Sequence, residues 1–297
     1  MGAGGIGSYL GGMLCRGGAQ VTLICRGRHL QAIREHGLSV SSPKESFSVK
    51  VAATDQATDL PQDVVIQAAK LYDLASSTRQ MRAMVGPRTL VIPVQNGVSA
   101  ADEVAAIVGK EHVAGGTVFL NSMVVAPGKV LSKSEVNSLI VGELDGAASV
   151  RVRELAEKCV AAGIDARVSG DIVAEQWRKF IPVAGLSALA CLSRQPIGPI
   201  RERPDLRALY RQAMQEVAAL GTAKGVALEA DIVERMLAQA ERYQHDARVS
   251  MLEDLEAGKP LELEWLSGYV SREARRLGVA VPFHDMAYAC LKPLSKS

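Results

Sequence analysis

A glycine-rich segment at the start of the chain, Gly2-Ala3-Gly4-Gly5-Ile6-Gly7, satisfies the pattern G-x-G-x-x-G and restricts the fold more than any other feature of the sequence. Glycines at this spacing form a tight turn, let backbone N–H groups approach a pyrophosphate and allow a helix to pack closely on a sheet. The helix-like run Ser8–Gly17 and the β-branched run Gln20–Cys25 follow in the order that a dinucleotide-binding unit requires. Glycine-rich turns without ligands are common, so the glycines alone do not predict a binding site. The order of loop, helix and strand favours a dinucleotide site, and its binding residues would be Gly2, Gly4, Gly5, Ile6 and Gly7.

The strand that should precede this loop has no counterpart in the sequence, because only Met1 stands before the first glycine. In a dinucleotide-binding sheet the first strand is central, and its loss would expose two sheet edges. We therefore expect the natural protein to begin upstream, with Met1 in the place of the strand residue that leads into the loop.

Short β-branched runs alternate with helix-like runs over the first half of the chain, and long helical segments follow Gly163. The sequence predicts a Rossmann-like, doubly wound parallel α/β domain over residues 1–167, without its first strand, and an all-helical domain over residues 168–297. The predicted strands are Gln20–Cys25, Ser46–Ala52, Val64–Ala68, Thr89–Pro93, Val113–Leu120 and Asp165–Val168, with Val130–Leu131 and Ser138–Val141 as an antiparallel extension. The predicted helices include Ser8–Gly17, Leu30–His36, Asp73–Met84, Asp171–Leu192, Asp205–Lys224, Ala230–Tyr243 and Glu262–Leu277.

Composition limits the partners of these domains. A formal net charge of +2 gives no reason to expect nucleic acid, and 48% apolar residues argue against disorder. No apolar run reaches the ~18 to 20 residues of a membrane helix, and no targeting segment is evident. Five scattered cysteines fit reduced thiols, and five histidines without paired spacing make a metal site unexpected. We expect a soluble cytoplasmic protein with a small-molecule partner.

The second predicted strand ends in Cys25-Arg26-Gly27-Arg28, where an NAD enzyme usually carries Asp or Glu for the ribose hydroxyls. A guanidinium at this place fits a 2′-phosphate, with which it forms charge-assisted and often bidentate hydrogen bonds. A solvated basic turn is the alternative explanation. Together with the glycine loop, the segment predicts NADPH rather than NADH, with Arg26 ahead of Arg28 as the phosphate contact.

Several separated motifs occur in a fixed order along the chain. They are the GAGGIG loop, Arg26, Lys70 in VVIQAAK, Gln95-Asn96-Gly97 after TLVIP, Trp177-Arg178-Lys179, Ser250-Met251-Leu252 with Asp254, and Glu262 in LELEWLSGYV. The ordered set resembles the ketopantoate reductase (2-dehydropantoate 2-reductase) family over nearly the whole chain. The resemblance implies reduction of a 2-keto acid by NADPH, with 2-dehydropantoate, the precursor of pantoate in pantothenate biosynthesis, as the leading substrate.

The resemblance also implies roles for individual residues in a cleft between the two domains. Lys179 would protonate the substrate oxygen, Lys70 and Asn96 would line the nicotinamide side, and Ser250 and Glu262 would contact the substrate. An ammonium near the keto oxygen can stabilise the charge that grows there and donate a proton. We therefore expect Lys179 and Glu262 to be catalytic, Lys70 and Asn96 to bind the cofactor, and Asn96, Lys179, Ser187, Ser250 and Glu262 to bind the substrate.

One departure from the family concerns the substrate. The family carries asparagines four and eight residues after the catalytic lysine, on the same helix face, whereas this chain has Val183 and Ser187. Pro182 should also kink this helix. Two other functions therefore stay open, an NADPH reductase of another small oxo acid and a sensor that binds NADPH without catalysis. The oligomeric state stays open as well, and a homodimer is one state that the sequence allows.

Most of these residues also have an ordinary structural explanation. Asn96 with Gly97 is common turn chemistry, and Lys179 could be a surface lysine of an amphipathic helix. Glu262 comes after a predicted helix start at Gly258-Lys259-Pro260, where any carboxylate favours the helix dipole. Ser250 could be a small residue inside a helix, and Trp177 is better explained by packing than by cofactor contact.

Overall fold

The computed structural model describes residues 1–295, which form two compact units. The first unit comprises Met1–Gln95 and Ser99–Ile172, and the second comprises Asn96–Val98 and the chain from Val173 onward. The short segment belongs to the second unit because Val98 packs against its hydrophobic core. The predicted classes, α/β for the first half and helical for the second, are confirmed.

The first unit combines short strands with helices. Its strands are β1 (Thr22–Ile24), β2 (Leu38–Ser41), β3 (Ser46–Val49), β4 (Ala52–Thr54), β5 (Val64–Gln67), β6 (Leu90–Pro93), β7 (Gly115–Phe119), β8 (Ser122–Ala126), β9 (Lys129–Ser132), β10 (Ser138–Gly142) and β11 (Asp165–Val168). Its α-helices are α1 (Gly5–Arg16), α2 (Gly27–His36), α3 (Leu74–Gln80), α4 (Ala100–Val108) and α5 (Val150–Ala161), with 3-10 turns at Leu71–Asp73, Met81–Met84 and Lys110–His112.

Strand pairing in this unit is mixed. β1 with β4, β5 with β6, β2 with β9 and β10 with β11 run parallel, whereas β2 with β3, β8 with β9 and β7 with β10 run antiparallel. The prediction that residues 130–131 and 138–141 form one antiparallel extension is wrong, because β9 joins β2 and β8 while β10 joins β7 and β11. Alternating hydrophobicity identifies the buried face of a strand but not its partner.

Met1 lies between the carboxyl ends of β1 and β5. Its terminal ammonium donates to the carbonyl oxygen of Ile66 at 2.7 Å, and its own carbonyl accepts from the backbone N–H of Ala68 at 2.8 Å. On the other side, the N–H of Ala3 donates to the carbonyl of Ile24 at 2.9 Å. These bonds fix the entrance to the glycine loop between the two strand ends.

The second unit is built of helices around one hydrophobic core that includes the fully buried Phe180, Tyr210 and Met214. α6 continues through Pro182, and Pro204 occupies the first position of α8, where a proline costs no hydrogen bond. The helices are α6 (Ile172–Ser193), α7 (Ile197–Glu202), α8 (Pro204–Ala223), α9 (Ile232–Ala240), α10 (Ser250–Glu256), α11 (Ser267–Leu277) and α12 (Pro282–Leu291), followed by a 3-10 turn at Lys292–Leu294. Over the described part of the chain, no helix is long and apolar enough to cross a membrane.

The predicted helix start at Gly258-Lys259-Pro260 is wrong. α11 begins only at Ser267, and Glu262 lies in a non-helical segment before it. Leu261 and Leu263 are both buried although they stand two residues apart, a spacing that one face of a helix does not provide. The dipole of α11 therefore does not explain why a glutamate stands at position 262.

Candidate functional site

The glycines of the loop differ in what surrounds them. Gly2 has a φ of 81°, and a Cβ added to it would lie 2.4 Å from the backbone nitrogen of Ala69. A Cβ on Gly7 would lie 2.5 Å from the carbonyl oxygen of Gly2. A Cβ on Gly4, in contrast, would meet nothing within 4 Å. Gly2 and Gly7 are thus required by close packing, whereas Gly4 faces open space that a ligand can enter.

The start of α1 supplies hydrogen-bond donors at this space. The N–H of Ser8 donates to the carbonyl of Gly4 at 2.9 Å, but within residues 1–295 the N–H groups of Gly5, Ile6 and Gly7 have no acceptor. Unpaired N–H groups at a helix N-terminus, with the positive end of the helix dipole, favour an anion. The open face at Gly4 and these donors fit a pyrophosphate.

A chain of hydrogen bonds that the sequence did not suggest supports the loop. Ser8 Oγ donates to the carbonyl of Ala3 at 2.9 Å and lies 3.2 Å from His29 Nε2, while the N–H of Gly128 donates to His29 Nδ1 at 3.0 Å. Since the single hydroxyl proton of Ser8 goes to Ala3, Nε2 of the ring must donate and Nδ1 must accept. Burial lowers the pKa of His29, which favours this neutral form. No sequence pattern indicates this contact, because Gly128 and His29 are far apart in the chain.

Arg26 lies immediately before α2, and its guanidinium is exposed. Nη2 donates to Gln80 Oε1 at 3.2 Å, and Gln80 Nε2 donates in turn to the carbonyl of Asp55 at 2.9 Å. Gln80 therefore holds the guanidinium without neutralising its charge, which leaves Arg26 suited to an anionic group. Gln80 lies 54 residues further along the chain, so no sequence pattern indicated this contact.

Lys70 and Gln95 come after the ends of two paired strands, β5 and β6. Lys70 is half-buried and precedes a 3-10 turn, in which its carbonyl accepts from the N–H of Asp73 at 2.9 Å. Gln95 Nε2 donates to the carbonyl of Ala69 at 3.0 Å, which ties the two strand ends together. Asn96 is half-buried and belongs to the second unit.

In the second unit, Lys179 and Glu262 interact electrostatically. Lys179 is half-buried on α6, and Glu262 is 7% exposed. Burial lowers the pKa of the Lys179 ammonium to about 8, and the negative charge of Glu262 acts against this and raises the pKa. An ammonium with such a pKa is mostly protonated at neutral pH yet releases its proton readily.

The neighbours of Lys179 on α6 have structural partners. Trp177 packs edge-to-face on Phe180 with ring centroids 5.6 Å apart, which agrees with a packing role. Arg178 Nε donates to both carboxylate oxygens of Glu229 at 3.0 and 3.1 Å. Lys179, the third residue of the WRK motif, interacts electrostatically with Glu262.

The residues predicted for the substrate differ in their surroundings. Val183 is half-buried against the hydrophobic core, and Ser187 is buried. Both share a helix face with Lys179, at spacings of four and eight. Ser250 is exposed and begins α10 rather than lying inside a helix.

Two family models match the chain. One, described as Ketopantoate reductase PanE/ApbA, matches residues 1–146, and the other, described as Ketopantoate reductase PanE/ApbA C terminal, matches residues 171–295. Together these matches cover most of both units.

Relatives and solved structures agree with the family models. A 2-dehydropantoate 2-reductase of Mesorhizobium japonicum is 31% identical over 316 aligned residues, covering 99% of this chain and 96% of the relative. A crystal structure of a PanE/ApbA family ketopantoate reductase from Ralstonia eutropha JMP134 matches with a TM-score of 0.91 and 29% identity, covering 99% of this chain and 96% of that one. D-mandelate dehydrogenase, solved with NADH and anilino(oxo)acetate, has a TM-score of 0.90 at 22% identity over 99% of this chain and 96% of its own, a similarity of fold alone.

Proposed function

Because the chain belongs to the ketopantoate reductase family, a family of oxidoreductases, we propose that it reduces the keto group of a small 2-keto acid with NADPH. The leading substrate is 2-dehydropantoate, which would be reduced to pantoate in pantothenate biosynthesis. One observation carries the proposal: Lys179 interacts electrostatically with the buried carboxylate of Glu262. Its ammonium is partly buried and has a pKa of about 8.

The first unit offers residues that suit a dinucleotide phosphate. Gly4 borders open space, the N–H groups of Gly5, Ile6 and Gly7 would bind the pyrophosphate, and Arg26 would bind a 2′-phosphate. Lys70 and Asn96 come after the ends of β5 and β6 and would contact the nicotinamide half. NADPH supplies the hydride when it is bound.

The second unit would supply the acid and orient the substrate. As negative charge grows on the keto oxygen, the Lys179 ammonium stabilises it and then transfers a proton to it. Glu262 keeps this lysine protonated by raising its pKa, and its carboxylate would accept a hydrogen bond from a substrate hydroxyl. Ser187 and Ser250 would bind the substrate's polar groups.

A second candidate, reduction of another small oxo acid, is favoured by one observation. Val183 places an apolar side chain where the family has an asparagine on the lysine face of α6, so it can neither donate nor accept a hydrogen bond there. A substrate with an alkyl or aryl group in place of a hydroxyl would suit this position.

The test is the consumption of NADPH, monitored by its absorbance, with purified protein and a panel of 2-keto acids that includes 2-dehydropantoate. We expect turnover that is fastest with 2-dehydropantoate and slower with NADH. Faster turnover of another acid would favour the second candidate. Tight binding of NADPH without turnover of any acid would indicate a sensor instead of an enzyme. The five free cysteines are consistent with a cytoplasmic location, which we also propose.

A further inference from the structure

Gln95 carries the one buried side-chain nitrogen or oxygen, among residues 1–295, that has no hydrogen-bond partner. This atom is Oε1. The orientation of the amide is fixed, because Nε2 donates to the carbonyl of Ala69 at 3.0 Å and a carbonyl oxygen cannot donate to Oε1 in return. A buried acceptor without a donor costs free energy, so it demands an explanation in a folded protein.

The position of Gln95 suggests what the missing donor is. Ala69, whose carbonyl holds the Gln95 amide, is also the residue against which the Gly2 turn packs, at 2.4 Å from a Cβ added to Gly2. Gln95 comes after β6 and Ala69 comes after β5, so both lie at the carboxyl edge of this parallel pair. Ligands of open parallel sheets bind at this edge.

The two sides of the glycine loop are chemically different. On the β1 side lies Arg26, a cation suited to a phosphate, and on the β5 and β6 side lies Gln95 Oε1, which can only accept. A dinucleotide extends in both directions from its pyrophosphate. If its adenosine phosphate lies at Arg26, its nicotinamide riboside extends toward Gln95.

We propose that Gln95 Oε1 accepts a hydrogen bond from the nicotinamide riboside of the bound cofactor, from either a ribose hydroxyl or the carboxamide N–H. Phosphate and carboxylate oxygens carry no proton to donate at neutral pH, so the cofactor's phosphates and the acid group of the substrate do not suit this atom. The inference rests on the proposed dinucleotide function and adds a specific binding residue to it.

The test compares Gln95→Met with a matched control, Gln62→Met. Methionine has nearly the same length as glutamine but lacks an amide. Gln62 Nε2 also donates to a backbone carbonyl, that of Leu60 at 2.8 Å, but Gln62 precedes β5 and lies at the opposite edge. Titration calorimetry would give the Kd of each protein for NADPH, 2′-phospho-ADP-ribose and 2′,5′-ADP, and thermal unfolding would report on the ligand-free protein.

We expect Gln95→Met to raise the Kd for NADPH about 5- to 20-fold, as for one lost hydrogen bond, and to leave 2′,5′-ADP binding unchanged. The control should bind all three ligands like the wild type. Weaker binding of 2′-phospho-ADP-ribose as well would identify the ribose hydroxyl as the donor, and its unchanged binding would identify the carboxamide. Both results support the proposal. The melting temperature of ligand-free Gln95→Met should fall no further than that of the control, because the unpaired acceptor is removed.

An NADPH Kd of Gln95→Met within about twofold of wild type would overturn the assignment. An equal loss of affinity for 2′,5′-ADP would also overturn it, because this indicates a general distortion of the loop. Wild-type protein that binds neither NADPH nor NADH would overturn the proposed function and this assignment with it. Should Gln95→Met fail to fold, Gln95→Ser, which leaves room for water, provides the same comparison.

Discussion

Burial of Lys179 lowers the pKa of its ammonium to about 8, and the carboxylate of Glu262 acts in the opposite direction by raising it. The lysine lies on α6 and the glutamate precedes α11, 83 positions later in the sequence. An acid in this range donates efficiently near neutral pH and stops donating as the pH rises past its pKa. Burial is the larger effect, and the charge of Glu262 therefore extends to higher pH the range in which Lys179, the proposed acid, would carry its proton.

Replacing Glu262 by glutamine should shift the pH dependence of the reaction. Glu262→Gln keeps the size of the side chain but removes the charge that raises the pKa of Lys179, so this pKa falls below about 8. Because a lysine is protonated only below its pKa, the alkaline decline of kcat/KM should move to lower pH. The profile should be measured between about pH 6 and 10. Glu264→Gln, which removes a carboxylate that accepts hydrogen bonds from Arg272 and Tyr288, serves as the control. If the alkaline decline of kcat/KM stays at the same pH in Glu262→Gln, the coupling of the two residues is contradicted.

Lys179→Ala should cut turnover by about 100- to 10,000-fold, the usual contribution of a positioned acid. NADPH affinity should barely change, because the residues proposed to hold the phosphates belong to the first unit. Lys179→Arg should also be impaired, since a guanidinium keeps the charge but does not readily release a proton. Lys158→Ala, at an exposed lysine of α5, is the control. Near-native turnover with normal NADPH binding in Lys179→Ala would move the search for the acid to Lys70 or Glu262.

Arg26→Ala should change the choice of cofactor. Loss of a charge-assisted bond worth about 1.5 to 3 kcal/mol corresponds to roughly a 10- to 150-fold higher Kd for NADPH, with little change for NADH. Arg28→Ala, two residues on, should have a smaller effect. Fluorescence titration with both cofactors measures this, and equal losses for NADPH and NADH would refute a phosphate contact.

Val183→Asn restores the asparagine of the family on the lysine face of α6. We expect kcat/KM for 2-dehydropantoate to rise about 5- to 10-fold relative to hydroxyl-free 2-keto acids, the gain of roughly one hydrogen bond. Val183→Ala separates the effect of volume from that of the amide. No gain in the asparagine variant would mean that other side chains already make this contact.

Stability should depend on pH through His284. This side chain is fully buried, Nε2 lies 3.1 Å from the carbonyl of Ala213, and burial lowers its pKa to about 4. The unfolded chain, with an ordinary pKa near 6.5, binds the proton more readily, so the free energy of unfolding falls as the pH drops from about 6.5 toward 4. The loss approaches about 3 kcal/mol. Urea unfolding at several pH values should show this fall in the wild type and in His245→Gln, a control variant at an exposed histidine. The fall should be smaller in His284→Asn. An equal dependence of the free energy of unfolding on pH in His284→Asn would contradict the prediction.

The sequence predicted the classes of both units because their hydrophobic periods differ, and it located most strands and helices within a few residues. It failed where pairing depends on contacts distant in sequence. β9 and β10 were assigned to one ribbon although each joins other strands. The start of α11 was misplaced because glycine and proline mark a break in the chain without specifying the conformation of the next residues.

The candidate site shows the same limit. Lys179 and Glu262 were predicted through their motifs, but their electrostatic coupling is a property of the folded unit. Gln80 was not predicted, and Gln95 was named only within a motif and given no role, because an amide carries no functional signal until its partner, or the lack of one, is known. His29 was considered only as a metal ligand, whereas its ring bonds two backbone segments through Ser8 and Gly128.

The hydrogen bonds from Gly128 through His29 and Ser8 to Ala3 join protein groups only, so they form as the chain folds. A loop that is held in this way loses its conformational entropy when the protein folds, not when a ligand arrives. Association is then opposed mainly by the ordering of the ligand itself. The His29 ring thus holds the glycine loop in place through protein contacts alone, and the dinucleotide that we propose would meet a preorganised loop.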